Sequence, residues 1–152
     1  MLACRIPGAW GHGAIDERIA ELTEDLVKSP GDASLHFQLA EANCQHEDWP
    51  AALLALARAE ELAPGKFPSD LIRGRVALGT GEPADAKKSF DHFLAGHPGN
   101  PQVLVLRARA LAQLGKDEAC LADYRAALAA SKNPEPDLFS GSRGGAGLPR
   151  AR

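Results

Sequence analysis

The sequence repeats one pattern of residues at a fixed interval of 34 positions. Each copy places a small residue four positions before a large apolar or aromatic residue, with another apolar residue three positions later. The three copies run from Ala52 to Pro64, from Ala86 to Pro98 and from Cys120 to Ala127. A period of this length is typical of stacked helical hairpins, because one hairpin cannot bury its apolar face without neighbours.

Composition agrees with a helical stack and excludes some functions. The chain has 152 residues, of which 45% are hydrophobic and only 5% aromatic, which favours closely packed helices over sheets. Its net charge of −3 gives no basic field for nucleic acid, so no nucleic-acid partner is expected. The cysteines Cys4, Cys44 and Cys120 are too scattered for a disulfide framework or a CxxC metal site.

Apolar periodicity and proline positions predict seven helices. Prolines in this part of the chain fall in the first turn of a predicted helix or just after its end, where they are tolerated. No predicted helix has the length and apolar content expected of a membrane span. The predicted helices cover residues 15–28, 33–46, 49–62, 67–79, 83–95, 101–114 and 117–131.

The small and large residues of the pattern resemble those of the tetratricopeptide repeat family, in its bacterial type. In the second helix of each pair, Ala52, Ala86 and Cys120 supply the small residue, while Leu56, Phe90 and Tyr124 supply the large one. The first helices keep a small residue at Ala40, Gly74 and Ala108, although His36 stands where the family has tryptophan. The resemblance implies a right-handed α-solenoid of three stacked hairpins, preceded by a capping helix.

This fold divides the chain into six parts. A capping helix is expected in residues 15–32, followed by repeats at 33–66, 67–100 and 101–134. Residues 1–14 are expected to be a flexible segment and residues 135–152 a disordered tail, because their glycine-rich composition has no apolar period.

Both ends of the chain also raise questions about its gene. As written, residues 1–14 are not a signal peptide, which leaves the cytoplasm as the compartment. They resemble the end of one, however, and an upstream start codon would place the protein in the periplasm or cell envelope. The segment from Pro134 to Phe139 resembles the beginning of another repeat, so a truncation or altered reading frame after Phe139 is a further hypothesis.

The resemblance implies that the first helix of each pair lines a concave, peptide-binding groove. One column of residues in that groove is apolar and the next is charged. The apolar column contains Phe37, Leu71 and Val105, and the charged column contains Glu41, Arg75 and Arg109. Such a surface suits a segment with hydrophobic anchors and one or two carboxylates. The alternative interpretation is that these side chains complete the packing of each hairpin.

Two arginines flank the small residue in the first helix of the second hairpin, and two do so in the first helix of the third hairpin. Arg73 and Arg75 lie 34 positions before Arg107 and Arg109. Because the two side chains of a pair leave the helix at about 200° to each other, they cannot face the same ligand. One of each pair is expected near the boundary between hairpins, bound to an acid or a carbonyl group, and the alternative is an anion site.

No residue pattern specifies catalysis, a cofactor or a metal. The histidines His12, His36, His46, His92 and His97 show no metal-binding spacing. The thiol, imidazole and acids from Cys44 to Asp48 are neighbours in sequence, so they point apart on a helix. The protein is therefore predicted not to be an enzyme.

Two functions follow from this interpretation. The first is a non-enzymatic interaction module that binds a peptide or protein segment in its groove. The second is a structural unit that forms homo-oligomers through its last helix. On that helix Leu121 and Leu128 would normally be covered by a following helix.

Overall fold

The computed structural model describes residues 12–132 and confirms the predicted fold class. In this part of the chain the secondary structure is entirely helical. The helices are α1 (His12–Lys28), α2 (Ala33–Gln45), α3 (Trp49–Leu62), α4 (Ser69–Gly79), α5 (Pro83–Gly96), α6 (Pro101–Gln113) and α7 (Asp117–Lys132). None of them is long and apolar enough to cross a bilayer.

The helix ends differ from the predicted ends by three residues or fewer. Helix α1 begins at His12, so the last residues of the segment predicted to be flexible are helical. Helix α4 begins at Ser69, two residues later than predicted, because Pro68 is its N-cap. The remaining expectations about residues 1–14, about the tail at 135–152 and about Phe139 concern residues outside the described range.

Short polar side chains fix where several helices begin. Asp32 accepts hydrogen bonds from two backbone amides at the start of α2. Asp48 does the same for one amide of α3, and Asn100 for one amide of α6. These side chains satisfy amide donors that have no partner inside the helix, which stabilises each end by about 1 kcal/mol.

The turn inside each hairpin uses one residue in the left-handed region. Glu47, Gly81 and Gly115 have φ values of 63°, 81° and 68°, and they lie 34 positions apart. The backbone geometry of the turn is therefore repeated even where the residue is not glycine. Glu47 carries the steric penalty that glycine avoids.

The helices pack in chain order as a stack. Helix α1 packs on α2, the three hairpins are α2 with α3, α4 with α5 and α6 with α7, and contacts also join α2 to α4 and α4 to α6. Small residues lie where helices cross, and Ala40, Ala52, Ala86 and Ala108 have no exposed surface. At Gly74 a Cβ atom would lie 2.5 Å from the ring of Phe90, so this close approach of α4 to the ring depends on glycine.

Candidate binding groove

A shallow groove of about 660 Å³ lies where α4 and α6 run side by side. Its lining combines apolar side chains with one guanidinium and two smaller polar groups. The lining residues are Leu71 and Arg75 from α4, Pro101, Gln102, Val105 and Leu106 from α6, and Ser131 from α7. We refer to this surface as the α4–α6 groove.

The apolar column predicted from the sequence is divided between this groove and the core. Leu71 and Val105 line the groove, and Val105 is 38% exposed. Phe37 is only 8% exposed, because its ring stacks on Phe67 with 4.8 Å between ring centroids. Phe37 therefore has a packing role, while Leu71 and Val105 are available for contact.

The charged column also places one residue on each of the helices α2, α4 and α6. Arg75 lines the α4–α6 groove, and Arg109 is exposed one repeat later on α6. Glu41 is partly buried one repeat earlier on α2. Burial raises the pKa of Glu41, and the positive charge of Arg75 offsets part of that shift. The column therefore consists of a glutamate on α2, followed by one arginine on α4 and one on α6.

The other arginine of each pair binds acids across the boundary between hairpins, as predicted. Arg73 of α4 donates to both carboxylate oxygens of Glu60 in α3, at 2.8 and 2.7 Å. Both side chains are partly exposed. This interaction leaves Arg75 as the arginine of α4 that faces the groove.

Arg107 forms a larger network that joins three helices. Its Nε and Nη2 donate to the two oxygens of Asp123 in α7 at 2.7 Å, and its Nη1 donates to Asp91 of α5 at 2.8 Å. The bonds to Asp123 raise the pKa of Arg107 despite burial. Burial alone would raise the pKa of Asp91, but hydrogen bonds from Lys87 and Arg107 hold it below its usual value.

Some groove residues were not assigned to the groove from sequence. Pro101 precedes Val105 by four positions, so helical spacing could have placed it on the same face. Ser131 comes from the end of another helix, and no signal in the sequence links it to α4.

The last helix leaves an apolar face exposed, which we call the α7 face. It consists of Leu121, Tyr124 and Leu128, which are 53%, 41% and 59% exposed. One repeat earlier, Phe90 and Leu94 occupy the positions of Tyr124 and Leu128, and they are buried in a cluster with residues of α6. The α7 face is therefore the surface on which a further helix would pack.

Three histidines of the described residues contact neighbouring polar groups. Nε2 of His36 donates to the carbonyl oxygen of Pro30 at 2.9 Å. Nδ1 of His92 lies 2.5 Å from Asp70, and Nε2 of His46 lies 2.8 Å from Asp16. Within residues 12–132, no three histidine, cysteine or acidic side chains converge as metal ligands would.

Comparison with known proteins agrees with this architecture. Residues 73–135 match the model of a tetratricopeptide repeat family. The solved structure of MamA MSR-1 C2 superimposes with a TM-score of 0.59 at 20% identity. The match covers 84% of this chain and 73% of that one. No curated protein matches the sequence.

Proposed function

We propose that the chain, which matches a tetratricopeptide repeat family over residues 73–135, is a non-enzymatic interaction module whose α4–α6 groove binds a segment of a partner protein. Proteins of this family generally act as interaction scaffolds. The observation that carries the proposal is that Leu71 and Val105 reach the surface together, on adjacent helices beside Arg75. An apolar strip edged by polar groups is typical of segment recognition.

The groove is open to solvent along one side, which suits a segment of chain. Its volume of about 660 Å³ is bounded by two helices and the end of a third, and Val105 projects into it. Small-molecule sites usually bury most of the surface of their ligand. A polypeptide lying along the groove needs contact on one side only.

Capture of partners by variant proteins tests this proposal. Val105→Asp places a charge in the groove and should lower recovery of a specific partner at least tenfold, because an unpaired carboxylate would be desolvated on binding. Leu71→Asp should act in the same way. Recovery is measured by quantitative mass spectrometry of proteins retained from an extract.

The matched control is Leu54→Asp, because Leu54 is 75% exposed on α3 and lies outside the groove. Its recovery of the same partner should equal that of the wild type. Phe37→Asp is not a suitable variant, since it would place a carboxylate in the core. Equal recovery by Val105→Asp and Leu54→Asp, with both proteins folded by circular dichroism, would reject the groove.

The α7 face favours self-association as a second candidate function. Leu121 and Leu128 are more than half exposed, whereas the residue equivalent to Leu128 in the preceding repeat is buried. Pairing of this face with a second copy would remove apolar surface from water at about 25 cal/mol per Å². The interface would resemble the packing of one repeat on the next.

Sedimentation velocity over a wide range of concentrations tests this candidate. Self-association predicts a sedimentation coefficient that rises with concentration in the wild type and stays constant in Leu128→Lys. Val27→Lys is the control, because Val27 is 79% exposed on α1 at the opposite end of the stack. A wild-type monomer at every concentration would reject the second candidate.

A further inference from the structure

The charged side chains that border the α7 face have no partner within residues 12–132. Asp117 and Glu118 lie in the first turn of α7, Arg125 near its middle and Lys132 in its last turn, and all four are exposed. Their side chains form no hydrogen bond or ion pair with the described residues. On a helix with 3.6 residues per turn, these charges and the α7 face fall within about 120° of one side.

The preceding repeat has other residues at two of these positions. Arg125 stands where α5 has Asp91, and Leu121 stands where α5 has Lys87. On α5 these two side chains bond to each other, and Asp91 also accepts a hydrogen bond from Arg107 of the next hairpin. A following hairpin with an arginine at that position would meet Arg125 in place of the acid. The ionic part of the α5–α6 boundary therefore cannot be repeated on α7.

The residues along this side of α7 are symmetric about the middle of the helix. Leu121 and Leu128 are seven positions apart, which is two turns or about 10.5 Å. Asp117 lies four positions before Leu121, and Lys132 lies four positions after Leu128. A reversed copy of α7 therefore presents the same leucines with its basic and acidic ends exchanged. Two-fold pairing requires a surface that is complementary to itself in this way.

The separation of charge along α7 favours one direction of pairing. In a parallel pair the acids Asp117 and Glu118 would face the same acids of the second copy, and Lys132 would face Lys132. In an antiparallel pair each acidic end faces a basic end, and the two helix dipoles also oppose each other. Charge complementarity therefore selects the antiparallel arrangement.

Head-to-tail stacking, with α7 of one copy on α1 of the next, would cover the α7 face less completely. Helix α1 packs on α2 through Leu22, which is 1% exposed. The opposite side of α1 carries Glu17 and Glu24, and Val27 is the one large apolar residue there. A second α7 instead supplies two leucines and a tyrosine, and its pairing closes after two copies.

We propose that the occupant of the α7 face is a second copy of this chain in antiparallel orientation, so that two α7 helices pair about a two-fold axis and form a closed dimer. Leu121 of each copy packs on Leu128 of the other, and the acidic first turn of each helix faces Lys132 of the other. Arg125 of each copy lies against the ring of Tyr124 of the other. This inference rests on the second candidate function, because it specifies how two copies meet at the same face.

Reversal of the charges at the two ends of α7 tests the inference, with sedimentation equilibrium of the full chain as the measurement. The pair Asp117→Lys with Glu118→Lys should raise the dimer dissociation constant about tenfold, because bases then face Lys132. Lys132→Glu alone should weaken the dimer in the same way. All three changes in one chain should return the dissociation constant to within about threefold of the wild type, a recovery that loss of folding could not produce.

Glu17→Lys is the control for stacking on α1. It reverses one exposed charge on the outer side of α1 and should leave the dissociation constant unchanged. In head-to-tail stacking the same substitution would change it, because Glu17 would then lie in the interface. A change caused by Glu17→Lys therefore overturns the two-fold arrangement.

The remaining results separate this inference from the second candidate function. Wild-type affinity in both charge-reversed proteins, or a combined variant as weak as they are, overturns the antiparallel pairing. If Leu128→Lys still abolishes self-association in that case, the α7 face remains an interface and only its arrangement fails. A wild-type chain that stays monomeric at every concentration rejects both and leaves the α7 face to a different occupant.

Discussion

Helices α4 and α6 carry arginines at the same repeat position, yet Arg73 and Arg107 bind acids in different ways. Arg73 holds one carboxylate at a partly exposed site. Arg107 holds Asp123, whose side chain is 9% exposed, and also Asp91 of the preceding hairpin. The repeat therefore fixes the direction in which the guanidinium projects, and the residues on the neighbouring helices decide how many carboxylates it binds.

The difference comes from two positions on the flanking helices. Asp123 is equivalent to Ser89 one repeat earlier, and Asp91 is equivalent to Ala57. Arg73 therefore lacks both acids that Arg107 uses and binds Glu60, one helical turn beyond Ala57. The boundary before the third hairpin is ionic and partly buried, while the boundary before the second is a surface ion pair.

Removal of Asp123 should have the largest effect on the free energy of unfolding. Asp123→Ala should lower the free energy of unfolding by about 2 to 3 kcal/mol, because it leaves a partly buried guanidinium with a single acid. Urea denaturation measures the change. Glu60→Ala is the matched variant at the other arginine, and a loss there as large as that of Asp123→Ala would contradict our account.

The small residue between the arginines should give the next largest effect. Gly74→Ala should lower the free energy of unfolding by about 1 to 2 kcal/mol, because its Cβ would contact the buried ring of Phe90 and the clash exceeds the gain in helix propensity. The reciprocal Ala108→Gly should cost about 1 kcal/mol through propensity alone. The combination of Gly74→Ala with Phe90→Leu should recover part of the loss in thermal melting, and no recovery would contradict the clash.

The loss of stability at acidic pH should distinguish the two boundaries between hairpins. The pKa of Asp91 lies below its usual value in the folded protein, so the unfolded chain binds the proton more readily. The stabilisation is complete above the unfolded pKa near 4 and is lost as pH falls through the folded pKa. Asp91→Asn should reduce the free energy of unfolding lost over this pH range by less than about 1 kcal/mol, since the Asp91 side chain is 39% exposed.

Urea denaturation at a series of pH values measures that slope. Glu17→Gln is the control, because it removes one exposed carboxylate from α1, far from the network. An unchanged slope in Asp91→Asn, or an equal change in Glu17→Gln, would show that Asp91 does not carry the effect.

Removal of Arg73 should have the smallest effect. Arg73→Ala should change the free energy of unfolding by about 0.5 kcal/mol or less, because exposed ion pairs contribute little. Addition of Ser89→Asp to the wild type would supply the missing acid and should raise the cost of Arg73→Ala in a double-mutant cycle. A coupling energy of zero would show that position alone does not create the network.

The helices could be predicted from sequence because their signals are local. Apolar spacing, proline positions and capping residues such as Asp32 and Asp48 act within a few residues of each helix end. The start of α4 was predicted two residues too early because the sequence pattern places Pro68 in the first turn of the helix, whereas in the structure Pro68 is its N-cap. Phe67 precedes the helix and stacks on Phe37, a contact between distant parts of the sequence.

The site was less predictable because its details depend on partners in other repeats. The sequence indicated that one arginine of each pair would bind an acid, but not that Arg107 would bind two. It placed Phe37, Leu71 and Val105 in one column by their spacing of 34, although their surroundings differ. Phe37 stacks on the ring of Phe67, and this contact places it in the core.

The left-handed turns at Glu47, Gly81 and Gly115 give the stack a row of points for chemical labelling. Glu47 is exposed, and a Cβ atom at either glycine would meet no atom within 4 Å, so a substitution there costs only the backbone strain of a positive φ. Cys44 and Cys120 are buried, so thiol dyes would react with cysteines introduced at 47 and 115 once Cys4 is replaced. Energy transfer between such dyes would report the winding of the hairpins and its change when a segment binds.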